Sequence, residues 1–193
     1  MGIEIFASLS MFYPKKITAI RPGDMVLEIG PGSSPHHRSD VFLELDFESS
    51  EEMLSQRGGV SQVPDFHNKP IHYYGGKEFP FKDNQFNYVI CSHVLEHVAD
   101  PEIFLKEVFR VGGGRGYLEY PLATYEYLYG FDVHLQFLKF DFAQRVLKYL
   151  PKRDTSFADF ASVTALLNKT LACGWDDLCA ANKQLFFEGV EFD

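Results

Sequence analysis

Basic residues are scarce in this chain: 18 Lys and Arg stand against 27 Asp and Glu among 193 residues, a formal net charge of -9. A protein that tracks a nucleic-acid backbone needs a basic face to displace counterions, and no Lys/Arg cluster supplies one, so no nucleic-acid partner is expected. Cysteine is scarcer still. Cys91, Cys173 and Cys179 are an odd set without a C-x-x-C pair, which argues against a disulfide framework and a thiolate zinc site and favours a reducing, cytoplasmic setting. No apolar run approaches the roughly 18 residues of a spanning helix, so no membrane partner is expected. The opening stretch MGIEIFASLSMFYPKK has no basic start before its apolar residues, and Phe6 stands where a myristoylation signal requires Ser or Thr; neither export nor anchoring is expected. Internal repeats and low-complexity linkers are lacking too. The length suits one domain over residues 1–193.

Aromatic residues, by contrast, are plentiful at 16%, and many lie between Tyr117 and Tyr149. Turn chemistry at Arg21-Pro22-Gly23-Asp24 precedes the apolar run Met25 to Ile29, which ends at Gly30-Pro31-Gly32 and reads as a first strand. Val41 to Leu45 reads as a second strand ending at Asp46, followed by a helix-prone stretch containing Glu51, Glu52, Met53 and Leu54. Ile71 to Tyr74 and Tyr88 to Cys91 supply the third and fourth strands. Asp100-Pro101-Glu102 has the chemistry of a helix start: an Asp cap, a Pro suited to the first turn and a Glu facing the positive dipole end. Gly112-Gly113-Gly114 ends that helix, and Tyr117 to Tyr120 reads as a fifth strand stopped by Pro121. Further on, His134 to Phe140 has strand character, Phe157 to Leu171 helical spacing, and Leu185 to Phe192 strand alternation. Alternating strands and helices predict an α/β fold: a Rossmann-like open sheet, mostly parallel, with an antiparallel C-terminal strand and helices on both faces. In such a sheet the ligand crevice lies outside the carboxyl ends of the strands.

The run VLEIGPG places Gly30 and Gly32 on the loop leaving strand one, where a missing Cβ lets backbone approach a ligand. A nicotinamide-type fingerprint would require a third glycine where Pro35 stands, so hydride transfer is disfavoured. Asp46, sixteen residues after Gly30, occupies the place from which an acid accepts hydrogen bonds from a ribose diol; the plain alternatives are a helix cap or a solvated acid. The segment FPFKDNQFNYVICSHVLEHVADP brings Ser92 and His93 to the same end of the sheet.

In this order and spacing, Leu27 to Gly32, Asp46, Phe79 to Phe81, Phe86 to His97 and Val111 to Gly114 make the chain resemble the class I S-adenosylmethionine-dependent methyltransferases, specifically the type 11-like domain. The resemblance covers about residues 20 to 121 and implies S-adenosylmethionine as cofactor. It further implies that Glu28 orders the methionine end, that Gly30, Pro31 and Gly32 give the backbone approach, and that Asp46 accepts from the ribose with Phe47 beside the adenine. Ser92 and His93 are then neighbours of the methionine moiety and the methyl, and Gly75 borders the adenine. There are departures. Ser33 to Asp40 is too short for the usual helix after strand one and is predicted to be a turn; Gly75-Gly76 replaces an adenine-side acid, and Asn87 replaces an Asp.

Methyl transfer is an in-line displacement that relies on orientation and exclusion of water, so a base is optional. His93, His97 and His134 are candidates by location, but no catalytic residue is named. The segment Tyr120 to Phe142, with Tyr125 and His134, is expected either to cover the acceptor side of the pocket or simply to pack; a small-molecule or saccharide-like acceptor fits it best. Two rivals stand beside this reading. A degenerate methyltransferase fold would bind without turnover, and His93-Val94-Leu95-Glu96-His97 spells the inverted zinc-protease motif, in which both histidines hold zinc and Glu96 activates water. The position of that pentapeptide, directly after a buried strand, favours no metal.

Overall fold

The computed structural model describes residues 14–57, 64–157 and 175–193. Strands β1 (Val26–Ile29), β2 (Val41–Leu45), β3 (Ile71–Tyr74), β4 (Tyr88–Ser92), β5 (Gly116–Pro121) and β8 (Phe187–Phe192) form one sheet in the order β3-β2-β1-β4-β5-β8. All neighbours are parallel except β5 and β8, which pair antiparallel from Gly116 against Phe192 to Pro121 against Phe187. This is the mostly parallel Rossmann-like sheet with an antiparallel C-terminal strand that the sequence predicts. The order reverses between β1 and β4, the switch point outside whose carboxyl ends sheets of this kind hold their ligands.

The central strands β1, β4 and β5 are buried on both faces, which suits their mainly apolar runs. On one face Leu27, Ile29, Leu43, Val89, Cys91 and Leu118 are buried with Phe104, Val108 and Val111 of helix α2 (Pro101–Gly112). On the other, Val26, Tyr88, Ile90 and Tyr117 pack together with Ile17 and Ile20. α2 starts and stops as its sequence dictates: Asp100 Oδ1 accepts the Ile103 N–H at 3.0 Å, Pro101 fills the first turn, and Gly113 takes a left-handed φ of 59°. Helix α1 (Ser50–Gln56) buries no residue and is capped by Ser49, whose hydroxyl accepts from the Glu52 N–H at 3.1 Å.

Residues 31–38 hold turns and no helix, as the short Ser33 to Asp40 connection requires. Beyond Pro121 the structure departs from a simple strand-and-helix alternation. Helix α3 (Ala123–Tyr129) begins without a side-chain cap and ends at Gly130 with φ 53°. Its aromatic composition reads as a strand, but burying Tyr125 and Tyr129 against Cys179, Phe186 and Phe187 overrides that propensity. The strand anticipated from His134 begins at Gln136: β6 (Gln136–Asp141) pairs with β7 (Val146–Pro151) in a separate antiparallel hairpin, and His134 lies in the loop before it. Leu138 joins the main core, with Phe140 and Leu147 packed on it. Helix α4 (Trp175–Ala181) precedes β8. The helical spacing read from Phe157 to Leu171 falls, apart from Phe157, outside the described residues.

Candidate functional site

The loops leaving β1 and β2 carry the first group of predicted site residues. Gly30 has φ 60° and Gly32 φ 56°, a conformation that a Cβ disfavours. The two glycines differ in what surrounds them. The Gly30 N–H is spent on the Leu43 carbonyl at 2.9 Å, and a Cβ there would stand 2.4 Å from Cγ2 of Val94; a Cβ on Gly32 would meet nothing within 4 Å. Gly30 therefore lets the β1 and β4 exit loops pass each other, while Gly32 leaves open space at the mouth. Pro31 between them is buried.

Glu28, fully enclosed in β1, turns one carboxylate oxygen to the same loop: Oε2 accepts the His36 N–H at 2.8 Å and the Ser39 hydroxyl at 2.6 Å. Burial pushes its carboxyl up to about 7 against those hydrogen bonds, and burial likewise pushes the His36 imidazole down to about 4. The acid that the motif sets at this position thus also folds the loop that replaces the usual helix.

Asp46 follows β2, its backbone N–H bonded to the Tyr74 carbonyl at 3.0 Å. The helix after it is capped by Ser49, which removes the capping role from Asp46. Among the described residues the exposed Asp46 carboxylate has no hydrogen bond or ion pair, with half-buried Phe47 beside it and exposed Gly75 at the end of β3.

The second group is dense with buried charge. His93, just past β4, adopts φ 54°, unusual for a residue with a Cβ, and its N–H donates to the Glu119 carbonyl at 2.8 Å. Its Nε2 lies 3.0 Å from Glu119 Oε1 and its Nδ1 3.4 Å from Glu96 Oε1. Glu119, in the middle of β5, also accepts from the hydroxyls of Ser92 at 3.2 Å and Tyr117 at 2.5 Å. Burial disfavours the imidazolium of His93, but its hydrogen bond to Glu119 and the nearby carboxylate of Glu96 outweigh it and raise the group to about 10. Glu96 and Glu126 are both fully buried; Glu126 contacts His134 Nδ1 closely and accepts from Lys152 Nζ at 2.9 Å. The turn bearing Glu96 is a 3-10 helix of only three residues, Leu95–His97, held to the hairpin by the Leu135 N–H on the Glu96 carbonyl at 2.6 Å and Gln136 Nε2 on the Val98 carbonyl at 3.1 Å.

Sequence reasoning placed Gly32, Asp46, Ser92 and His93 at one end of the sheet, and the strand ends carry them there. It missed Glu119, Glu126, Lys152 and Gln136. The overlooked signal was a single acid inside each of two otherwise apolar runs, Tyr117-Leu118-Glu119-Tyr120 and Tyr125-Glu126-Tyr127-Leu128. The inverted zinc-protease motif does not form its site: His93 is left-handed and tied to Glu119, so it shares no helix face with His97. Tyr125 is packed among Tyr129, Phe131, Phe186 and Phe187, and Phe187 in turn meets the His93 ring at 5.1 Å between centroids.

Strand order and motif residues agree with the resemblance to the class I S-adenosylmethionine-dependent methyltransferases. Residues 27–120, 94 of the 193, match the family described as "Methyltransferase domain". No curated protein gives a match. Among solved structures, the methyltransferase in complex with the Trm112 activator of Haloferax volcanii is 21% identical over 55% of this chain and 49% of that one, with a TM-score of 0.39. An S-adenosylmethionine-dependent methyltransferase of Thermotoga maritima is 23% identical over 56% and 47%, TM-score 0.38, and one from Mesorhizobium loti is 14% identical over 93% and 94%, TM-score 0.46. The chain spans about half the length of the first two of these. Among the described residues no helix is long and apolar enough to cross a membrane.

The residues present fit the cofactor. Open space at Gly32, an unpaired acid ending β2 and a polar pair after β4 meet at the switch point of the sheet.

Proposed function

We propose that this chain, as a single cytoplasmic domain, transfers a methyl group to a small-molecule or saccharide-like acceptor. The observation that carries the reading is the exposed Asp46 carboxylate, without a partner among the described residues, at the carboxyl end of β2 beside β1, whose exit loop bears the open backbone at Gly32. Asp46 holds the ribose, Phe47 and Gly75 border the adenine, and Gly30, Pro31 and Gly32 line the approach to the methionine moiety, with Glu28 beneath them. Ser92 and His93 stand at the methyl end. Bound S-adenosylmethionine supplies an electrophilic methyl on a sulfonium, and the chain contributes orientation and exclusion of water. Both nitrogens of His93 face carboxylates, Glu119 and Glu96, so neither is free to take a proton from an acceptor. That arrangement supports a positioning role and an acceptor that arrives deprotonated.

Titration calorimetry with S-adenosylmethionine and S-adenosylhomocysteine tests the reading. Both are expected to bind, and Asp46→Ala is expected to weaken them by about 1.5 to 3 kcal/mol, the range for hydrogen bonds to a charged group, without loss of fold. No heat at millimolar ligand, or unchanged affinity in the variant, overturns the site. A second reading, binding without turnover, draws on the turn at residues 31–38 in place of a helix; tight binding with no methyl transfer to any of a panel of amines, phenols and sugars would favour it.

A further inference from the structure

We propose that Glu96, His97 and His134 bind one divalent transition-metal ion of the zinc or iron(II) class, in a site beside His93 and separate from the cofactor crevice. One donor atom from each of the three side chains lies within 4.8 Å of the others. Around a tetrahedral ion at ordinary bond lengths, donors stand roughly 3.4 Å apart, so a modest closure brings the three to a common centre.

Glu96 is the observation that calls for a ligand. It is 0% exposed, yet neither carboxylate oxygen has a hydrogen-bonding partner. Its nearest imidazole nitrogens are His93 Nδ1 at 3.4 Å and His97 Nε2 at 3.9 Å, both from Oε1. A buried carboxylate is ordinarily paired, hydrogen-bonded or coordinating a metal; the His93 imidazole offsets part of this charge at Oε1 and leaves Oε2 with neither a hydrogen bond nor an ion pair among the described residues. His97 repeats the pattern, since its buried Nδ1 is also without a partner.

The third side chain is prepared for coordination. His134 Nδ1 meets Glu126, whose other oxygen is held by Lys152, which leaves Nε2 as the atom His134 can offer. A carboxylate behind an imidazole fixes its tautomer and ring orientation and raises its basicity, the outer arrangement usual for metal-bound histidine. The rings of His97 and His134 are 4.6 Å apart at 83°, and their side chains remain 16% and 11% exposed, so an ion has a way in and a position open to solvent. The Leu135–Glu96 backbone bond holds the two ligand-bearing segments together. Two imidazoles and one carboxylate select a transition ion over magnesium or calcium, which take oxygen ligands.

The test uses the full chain stripped with chelator and then given Zn2+ or Co2+ alone. Expected are one bound equivalent by metal analysis after dialysis, and cobalt d–d absorption showing nitrogen and oxygen ligation. Glu96→Gln and His134→Gln should abolish that equivalent, and Glu126→Gln, which touches no ion, should weaken it by about 10- to 100-fold. S-adenosylmethionine affinity of His134→Gln and Glu126→Gln, neither of which contacts a proposed cofactor residue, should not change, so failure of the cofactor reading and failure of the metal site are told apart. Absence of a stoichiometric ion in the wild type overturns the proposal, as does equal binding by Glu96→Gln. That variant is near-isosteric and disturbs no formed hydrogen bond of the side chain, so it keeps the test decisive even if His134→Gln does not fold.

Discussion

The two halves of the crevice are built on opposite principles. Around β1, β2 and β3 the site residues are glycines and an exposed acid, with backbone doing the shaping; around β4, β5, α3 and the hairpin they are buried carboxylates locked to imidazoles, hydroxyls and a lysine. A half that must admit a large, partly polar ligand keeps its groups free. A half that presents fixed charge must compensate it with protein groups or, at Glu96, with a bound ion, because an unpaired charge in low dielectric is expensive. Substitutions should therefore cost ligand binding in the first half and stability in the second.

The largest effect is expected at Glu119→Ala. It strips the partner from His93 Nε2, the Ser92 hydroxyl and the Tyr117 hydroxyl at once, in a place that is 1% exposed. Breaking a buried charge pair on one side costs about 3 to 5 kcal/mol, to be read from urea unfolding. Asp46→Ala in the same assay should stay within about 0.5 kcal/mol of wild type. Equal losses in the two variants would erase the contrast between the halves.

A comparable magnitude is expected from pH at the loop after β1, where the contrast is mixed because Glu28 is buried within the cofactor half. The folded-state pKa of Glu28 is raised to about 7, so its contribution is present at low pH and is lost as pH rises from about 4.5 to 7. That of His36 is lowered to about 4, so its contribution is lost as pH falls from about 6.5 to 4. The two slopes oppose each other and nearly cancel between about pH 4.5 and 6.5. Glu28→Gln removes one, and stability should then climb by about 3 kcal/mol from pH 4 to 6.5. Chemical denaturation at a series of pH values checks this, and a flat profile in the variant would show that His36 is not buried neutral.

Gly30 and Gly32 sharpen the comparison within one motif. Gly30→Ala combines a left-handed φ with a Cβ 2.4 Å from Val94 Cγ2, and should lose about 2 to 3 kcal/mol while displacing the loop that carries His93. Gly32→Ala meets open space and should lose only about 1 to 2 kcal/mol of conformational cost, with the larger effect on S-adenosylmethionine affinity. Thermal unfolding with and without ligand separates the two.

The same contrast decides what was legible in the sequence. The cofactor half is written locally: VLEIGPG, the acid ending β2 and CSH after β4 each lie within one strand and its exit, and right-handed parallel winding brings the exits together. The charged half is assembled from residues 93, 96, 119, 126, 134 and 152; beyond the pair 93 and 96 within one pentapeptide, no spacing rule connects them. Helix α3 was hidden for a related reason, since its stability comes from Phe186 and Phe187 some sixty residues later and owes nothing to a cap. Even His93 was legible only as a location; its left-handed backbone and its grip on Glu119 depend on β5 lying alongside β4.

The smallest effect is expected at Asn87, where the resemblance to the family fails but the structure gives the residue a complete role. Asn87 precedes β4 at the amino end of the sheet, across the strand length from the crevice, and its Oδ1 accepts the Met25 N–H at 2.9 Å. It therefore ties the start of β1 to the start of β4, a task that needs one acceptor oxygen and no charge. An aspartate offers the same oxygen, and Arg115, which already donates to the Asn87 carbonyl at 3.1 Å and lies 3.3 Å from Asp24, would see one more negative neighbour. Asn87→Asp should shift stability by no more than about 0.5 kcal/mol, toward greater stability and less so at high salt. Cofactor affinity should be unchanged, because the position lies at the far end of the strands from Gly32, Asp46 and Ser92. Calorimetry on this variant beside Asp46→Ala gives the finest test of where the site ends: a changed affinity in Asn87→Asp would mean that the amino end of the sheet is coupled to the crevice.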